Sequence, residues 1–231
     1  MQRIYEDGTY LQHNPSWHEE DSWWKAQKIK KIIQRNHLSP TTICEVGCGA
    51  GEILNQLLEQ LSGDIEYVGY EVSPQAFELC RTKLKNRLTF VFRNLLEENE
   101  RFFDLVLAID VFEHVDDYLG FLRKLKTKGQ YTIFHIPLDV SVQTVLRGWP
   151  LIWNRQHLGH LHYFTKDTAL AALRDTGYEV IDHFYTSWAL ELPNRAWRRR
   201  LLRIPRKSMF MLSEDLAVRL FGGYSLMVLT K

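Results

Sequence analysis

Three glycines and an acidic residue form the first candidate ligand site in the sequence. Gly47, Gly49 and Gly51 follow an apolar run and precede a helical pattern. Because glycine has no Cβ, this turn can adopt positive φ and let a ligand approach the backbone closely. Glu71 ends the next apolar run, about twenty residues further on, where an acidic side chain can bind both hydroxyls of a ribose. The combination predicts a site for a nucleotide-type ligand.

The carboxylate of Glu45, two residues before the first glycine, restricts the kind of nucleotide. Turns that bind a pyrophosphate usually have the spacing Gly-x-Gly-x-x-Gly, whereas this turn reads Gly-x-Gly-x-Gly. A carboxylate so close would repel a pyrophosphate and suits a cationic amino-acid moiety. An NAD(P)-dependent oxidoreductase is therefore the disfavoured alternative.

The stretch from Glu45 to Gly51 resembles the first motif of class I S-adenosylmethionine-dependent methyltransferases. The resemblance covers roughly residues 39 to 137 and extends more weakly to the C-terminus. It implies S-adenosylmethionine as cofactor, with Glu45 and the glycine backbone holding the methionine part and Glu71 the ribose. It also implies methyl transfer to an oxygen, nitrogen or carbon nucleophile of a small molecule. The residues expected to bind the cofactor are Lys25, Glu45, Gly47, Cys48, Gly49, Gly51, Glu71, Val72, Asn94, Leu95, Asp110 and Val111.

Two of these assignments have an alternative. Asn94 stands where the family usually has an aspartate that accepts a hydrogen bond from the adenine amino group, and the amide oxygen of asparagine can also accept one. Lys25 could pair with the cofactor carboxylate, or could be an ordinary solvated lysine. In the related enzymes a leading helical segment closes over the cofactor, so Tyr10 and Trp24 are expected near it as well, unless the segment only covers the edge of the sheet.

Three histidines are candidate general bases. His114 follows the apolar run 103–109, which predicts the fourth strand, at the sheet edge where α/β proteins bind ligands. His160 and His162 lie in a stretch that resembles one near the acceptor pocket of the family. A base is needed only if the nucleophile carries a proton, and the alternative is that these histidines hydrogen-bond to fix a loop. His157, His160 and His162 have a spacing that could suggest a metal, but no carboxylate or thiolate cluster accompanies them, so no metal site is predicted.

Apolar runs alternate with helical patterns over most of the chain, which predicts an α/β, doubly wound sheet. The resemblance implies seven strands, helices on both faces and an antiparallel last strand. We interpret residues 1–231 as a single domain. Within it we expect an N-terminal helical cap at 1–38, an acceptor loop at 138–164 and a basic helical insert at 188–222.

Composition and charge are those of an ordinary globular protein. Of the 231 residues 45% are hydrophobic and 25% are charged, and the net charge of +1 gives no reason to expect bulk nucleic-acid binding. The N-terminus lacks an apolar signal core and no apolar run is long enough to span a membrane, so a cytoplasmic protein is expected. Three cysteines without paired spacing predict reduced thiols.

Charge is concentrated in one place. Seven of the 13 residues from 195 to 207 are basic and none is acidic. Such a segment can contact an anionic membrane or a phosphorylated substrate, and a solvated helix is the alternative. A non-catalytic module that binds the cofactor or a membrane is the remaining alternative to an enzyme.

Overall fold

Seven strands form one sheet in the computed structural model, which describes residues 9–17, 19–191 and 197–231, with the backbone alone for residues 9, 188, 189 and 197–204. The strands are β1 Thr42–Val46, β2 Glu66–Glu71, β3 Leu88–Phe92, β4 Phe103–Ile109, β5 Gly129–Pro137, β6 Val180–Thr186 and β7 Ser225–Thr230. Their order across the sheet is β3-β2-β1-β4-β5-β7-β6. The first five strands run parallel, and β7 is antiparallel to both β5 and β6. The predicted seven-stranded sheet with an antiparallel last strand is confirmed.

Helices connect and flank the strands. They are α1 Thr9–His13, α2 Glu19–Arg35, α3 Glu52–Gln60, α4 Pro74–Cys80, α5 Tyr118–Leu125, α6 Val142–Arg147, α7 Trp149–Trp153, α8 Lys166–Asp175, α9 Trp188–Glu191, α10 Trp197–Leu212 and α11 Glu214–Leu220. None of these helices, within the residues described, has both the length and the apolar character needed to cross a membrane.

The two faces of the sheet carry separate hydrophobic clusters. On one face α2 and α3 pack through side chains such as Ile29 and Leu54, while α5, α8 and α11 cover the other. Neighbouring residues of β4 face opposite clusters, since Val106 belongs to one and Leu107 to the other. Burial on both faces explains why this strand reads as a continuous apolar run. Helices on both faces were predicted.

Local capping signals set the starts of several helices. Ser73, Asp117 and Thr165 each accept a hydrogen bond from the backbone N–H three residues further on, at the starts of α4, α5 and α8. These contacts satisfy N–H groups that lack a partner within the helix. These residues are local signals at the helix starts themselves, so all three starts can be predicted from the sequence.

The segment 138–164, expected to be a loop, is largely helical. It contains α6, α7 and a π-helical turn, Asn154–Leu158. Ser141 forms a capping box with Thr144 at the start of α6, and Gly148, with φ 67°, separates α6 from α7. The two helices have only six and five residues, which is too short to show a helical repeat in the sequence. The prediction of a loop was therefore wrong.

Candidate active site

A cavity of about 810 Å³ opens where the parallel strands end. Its walls come from the turn after β1, the residues after β4 and β5, the leading helices α1 and α2, and the segment that holds α6 and α7. Open α/β sheets bind ligands at this edge, because the loops that follow the strands diverge there. The volume suits a cofactor and a small acceptor together.

The glycine turn forms one wall of the cavity. Gly47, Gly49 and Gly51 all have positive φ, with values of 64°, 55° and 75°. Gly47 and Gly49 line the cavity, but Gly51 is needed for packing, because a Cβ there would lie 2.5 Å from the ring of Phe90. A Cβ on Gly49 would lie 2.7 Å from Cδ1 of Trp17, so this indole lies directly against the turn.

Glu45 lines the cavity with an unsatisfied carboxylate. The residue is only 2% exposed, and its Oε2 has no hydrogen-bond partner among the described residues. Burial raises the pKa of this carboxyl well above its ordinary value, and the nearby ammonium of Lys25 opposes the increase. A buried carboxylate oxygen without a partner is costly, so the position suits a ligand that brings a positive charge or a donor.

Glu71 supports the turn from the neighbouring strand. Its carboxylate accepts hydrogen bonds from the backbone N–H of Gly49 at 2.7 Å and from those of Val72 and Ser73 at 2.8 Å each. Burial raises the pKa of Glu71, and the three N–H donors act against that increase. The acid at the tip of β2 therefore holds the glycine turn in shape.

Several expected cofactor residues lie near the turn but outside the cavity walls. Glu71, Val72, Asn94 and Leu95 end or follow β2 and β3, at the same edge of the sheet. The Oδ1 of Asn94 accepts a hydrogen bond from the N–H of Leu96 at 3.0 Å. Val111 packs against the turn, because a Cβ on Gly47 would lie 3.3 Å from it.

Asp110 joins the end of β4 to α2 and β5. Its Oδ1 lies 2.6 Å from Nδ1 of His135, and its Oδ2 lies 3.0 Å from Nζ of Lys25, which also lies 3.0 Å from Asp21. Burial opposes ionisation of Asp110, but His135 and Lys25 together hold its pKa well below the ordinary value. Lys25 is thus engaged by two carboxylates of the protein, and its pairing with a cofactor carboxylate stays a prediction.

The three candidate bases occupy different environments. His160 is 6% exposed and lines the cavity, with its Nδ1 2.6 Å from Oδ2 of Asp139. His114 also lines the cavity and packs edge-on against His160, with ring centroids 4.9 Å apart. His162 instead donates from Nε2 to the carbonyl of Val115 at 2.9 Å, outside the cavity walls. The first two therefore border the cavity, whereas His162 contacts the backbone after β4, and the role of all three as bases stays a prediction.

A family model described as a methyltransferase domain matches residues 13–183. The chain belongs to this methyltransferase family. It is an S-adenosylmethionine-dependent methyltransferase, as predicted, and nothing supports the oxidoreductase alternative.

Curated relatives of this methyltransferase have moderate sequence identity. The ubiquinone biosynthesis O-methyltransferase of Cereibacter sphaeroides is 27% identical over 172 residues, which cover 66% of this chain and 68% of the relative. The protein of the same name from Rhodopseudomonas palustris is 31% identical over 121 residues, or 49% of this chain and 44% of the relative.

Solved structures show the same fold. The plantazolicin methyltransferase BpumL in complex with S-adenosylhomocysteine has a TM-score of 0.65 at 14% identity, covering 99% of this chain and 92% of that one. The magnesium protoporphyrin IX methyltransferase of Synechocystis PCC 6803, with bound S-adenosylhomocysteine, has a TM-score of 0.61 at 13% identity, covering 90% and 83%. At these identities the likeness concerns the fold alone.

Glu113 lies beside two of the candidate bases, His114 and His160, but was not among the predicted site residues. The side chain is fully buried, and neither carboxylate oxygen has a hydrogen-bond partner in the part of the chain that is described. Burial raises its pKa well above the ordinary value. Ligand atoms of Glu113, His114 and His160 all lie within 4.8 Å of one another, so these three residues could hold a cation. The reason given for expecting no metal, the lack of a carboxylate near the histidines, was therefore wrong; the expectation itself stays a prediction.

Two further cavity residues were missed for different reasons. Asp139 lies just past the end of β5, and the rule that parallel strands end at the ligand-binding edge could have found it. His135 lies inside an apolar strand, where the sequence offers no signal. The side chain becomes informative only through its contacts with Asp110 and, at 2.9 Å from Nε2, with Thr186.

Proposed function

We propose that this methyltransferase acts on a hydroxyl oxygen of a small-molecule acceptor, with His160 as the general base. The observation that carries the proposal is the pairing of His160 with Asp139 in the wall of the cavity that the glycine turn also lines. The volume of about 810 Å³ suits a small molecule rather than a macromolecule. The names of the curated relatives, both O-methyltransferases, support an oxygen nucleophile.

The residues present fit the cofactor. The unpartnered Oε2 of Glu45 suits the ammonium of the methionine part, and the backbone of Gly47, Cys48 and Gly49 lets that part approach closely. When bound, S-adenosylmethionine supplies an electrophilic methyl group on a sulfonium. We assign Glu71 to the ribose and Asn94 to the adenine, at the adjacent tips of β2 and β3. The remaining predicted contacts are Lys25, Gly51, Val72, Leu95, Asp110 and Val111.

His160 has the arrangement that a base needs. Because a carboxylate accepts, the Nδ1 that faces Asp139 carries the proton, and this leaves Nε2 as the acceptor of the neutral ring. No hydrogen bond to Nε2 occurs within the described residues, so this atom can receive the proton of an acceptor hydroxyl. Asp139 then stabilises the imidazolium that forms, and His114 packs against the edge of the ring.

We also infer that the basic segment 195–207 contacts an anionic membrane or a phosphorylated substrate. Arg195 and the side chains of Arg198, Arg199, Arg200 and Arg203 lie outside the described residues. The inference is supported by the charge of the segment and by Met211 and Leu212 at the end of α10, which are 77% and 83% exposed. Basic and apolar side chains together are typical of helices that lie on membranes.

The proposal is tested by transfer of labelled methyl from S-adenosylmethionine to small phenols such as catechol. We expect His160→Ala to lower turnover by about 10²- to 10⁴-fold, the usual contribution of a general base, with little change in affinity for S-adenosylhomocysteine. Asp139→Asn should lower turnover as well, because it changes the partner of Nδ1. His162→Ala is the matched control, since Nε2 of His162 donates to a backbone carbonyl outside the cavity walls, and thermal unfolding of this variant should be recorded alongside. Wild-type turnover in His160→Ala would overturn the proposal.

A further inference from the structure

A second group of polar residues lines the same cavity away from the histidines. Arg206, in the second half of α10, is half-buried and donates a hydrogen bond to Oε1 of Gln143 at 2.9 Å. Arg147 ends α6 and stacks over Trp149, with Cζ 4.7 Å from the ring centroid. Both guanidinium groups line the cavity, so two positive charges face one compartment.

Neither arginine has an anionic partner in the part of the chain that the structure describes. Within the described residues, no carboxylate lies within ion-pair distance of Arg206 or Arg147. Arg206 contacts the neutral amide of Gln143 and lies over the ring of Phe221, with its Cζ 5.7 Å from the ring centroid. Burial lowers the pKa of Arg206, Tyr224 acts in the opposite direction, and the nearby charge of Arg147 lowers the pKa further. A half-buried guanidinium without an acid is unusual, because buried charges are normally paired.

A third group completes the compartment. Tyr224 lines the cavity and is 3% exposed, and its hydroxyl has no hydrogen-bond partner among the described residues. Its ring is stacked on Phe210, with centroids 5.5 Å apart. A buried hydroxyl that the fold leaves unsatisfied indicates a partner supplied by a ligand. The hydroxyl and the two guanidinium groups are all donors, so that partner is an acceptor of hydrogen bonds with negative charge.

We propose that Arg206, Arg147 and Tyr224 form a subsite for an anionic substituent, a carboxylate or a phosphate, on the methyl acceptor. The planar guanidinium of Arg206 can bind such a group with two parallel hydrogen bonds, and Gln143 holds the guanidinium in orientation. The subsite rests on the proposed function, because it takes the acceptor to be the occupant of this end of the cavity. It narrows the substrate class to small hydroxylated acids or phosphate esters.

The test measures binding, with no need for turnover. Calorimetry on the full chain saturated with S-adenosylhomocysteine compares 3,4-dihydroxybenzoate with the neutral 3,4-dihydroxybenzyl alcohol. A second pair compares phenyl phosphate with phenol. We expect the wild type to bind at least one anion about 10- to 100-fold more tightly than its neutral analogue, as a charge-assisted contact implies. A preference for the first anion indicates a carboxylate subsite, and a preference for the second indicates a phosphate subsite.

Variants separate charge from structure. Arg206→Gln should remove the preference for the anion, Arg206→Lys should keep part of it, and Tyr224→Phe should weaken it. Gln143→Leu removes the hydrogen bond but keeps the charge, so it should weaken binding of the anion less than Arg206→Gln does. Arg155→Gln is the matched control, because Arg155 is exposed in the same segment but does not line the cavity.

Three results would overturn the subsite. The first is equal affinity of the wild type for an anion and its neutral analogue, and the second is no binding of any anionic probe. The third is an equal loss of affinity for the anion in Gln143→Leu and Arg206→Gln. Failure of the proposed function would look different. If the preference for the anion depends on Arg206 and yet no methyl transfer to a hydroxyl occurs, the subsite stands and the assignment of the nucleophile falls.

Discussion

At the scale of single residues, the site is defined by polar groups that the fold buries without partners. Among the described residues, Glu45 and Tyr224 each keep an unpaired oxygen in the cavity wall, and Glu113 keeps two nearby. Asp110 is the opposite case, a partly buried carboxylate whose two oxygens contact His135 and Lys25. Unpaired groups cost stability in the free protein, so they are expected at positions where a ligand completes them.

Glu45 leads to a prediction about proton release on cofactor binding. Its pKa is raised by burial in the free protein, and an ammonium bound beside it should lower that pKa. Cofactor binding should therefore release a proton from Glu45, and affinity should increase as the pH increases through the pKa of the free protein. Calorimetry of S-adenosylhomocysteine binding at one pH in phosphate and in Tris should give different observed enthalpies, because the buffers take up the proton with different heats.

Glu45→Gln is the matched variant for this measurement. It keeps the shape of the side chain but cannot titrate, so the difference between the two buffers should shrink. The same difference in the variant as in the wild type would exclude Glu45 as the source of the proton.

At the scale of elements, the leading helices cover the cofactor turn as well as the sheet. α2 buries Ile29, Ile32 and Ile33 against one face, while the Trp17 indole just before it lies on Gly49. Tyr10 and Trp17 contact each other, with ring centroids 4.8 Å apart. This segment therefore covers the sheet and also lines the cavity, and its closing over the cofactor stays a prediction.

We expect Trp17 to contact the bound cofactor. Trp17→Ala should weaken binding of S-adenosylhomocysteine by about tenfold, mainly through faster dissociation, because a large aromatic contact is lost. Trp23→Ala is the control, since Trp23 lies in the same segment but is 59% exposed. Surface plasmon resonance gives both rate constants. Equal dissociation from wild type and Trp17→Ala would show that the indole has no contact with the ligand.

The predictability of the elements follows from their length and chemistry. β3 and β4 and the capped starts of α4, α5 and α8 could be predicted, because apolar runs and caps act locally. α6 and α7 could not, since each is shorter than two helical turns. The residues of the candidate site also fall into those that local sequence signals predict and those that only the fold brings together. The glycine turn and Glu45 are local signals, whereas the pairing of His160 with Asp139 joins residues 21 positions apart and required the fold.

At the scale of the whole molecule, exposed apolar side chains occur on the helices α6 and α7 that border the cavity. Leu146 and Trp149, on α6 and α7, are 82% and 57% exposed, and the basic segment 195–207 lies in and before α10. The net charge of +1 does not show that positive charge is concentrated in this segment. Peripheral contact with an anionic surface is the arrangement that such a distribution favours.

The contact is tested by co-sedimentation with vesicles of phosphatidylglycerol and phosphatidylcholine. Each arginine near an anionic bilayer contributes about 1 kcal/mol, so the wild type should pellet at low salt and be released at high salt. A variant with glutamate at positions 198, 199, 200 and 203 should remain in the supernatant. Equal, negligible pelleting of both proteins would exclude the membrane and leave contact with a phosphorylated substrate as the proposed role of the segment.

The central claim is that the glycine turn and Glu71, the acid that supports it, bind S-adenosylmethionine at this edge of the sheet. Calorimetric titration of the wild type and of Glu71→Ala with S-adenosylhomocysteine tests it most directly, with NADH as the competing ligand and thermal unfolding as the control for folding. We predict one-to-one binding by the wild type, no binding of NADH, and a loss of at least about tenfold in affinity in Glu71→Ala, because hydrogen bonds to a charged acceptor contribute about 1.5 to 3 kcal/mol each. Unchanged affinity in a folded Glu71→Ala protein, or no binding of S-adenosylhomocysteine by the wild type, would contradict the claim.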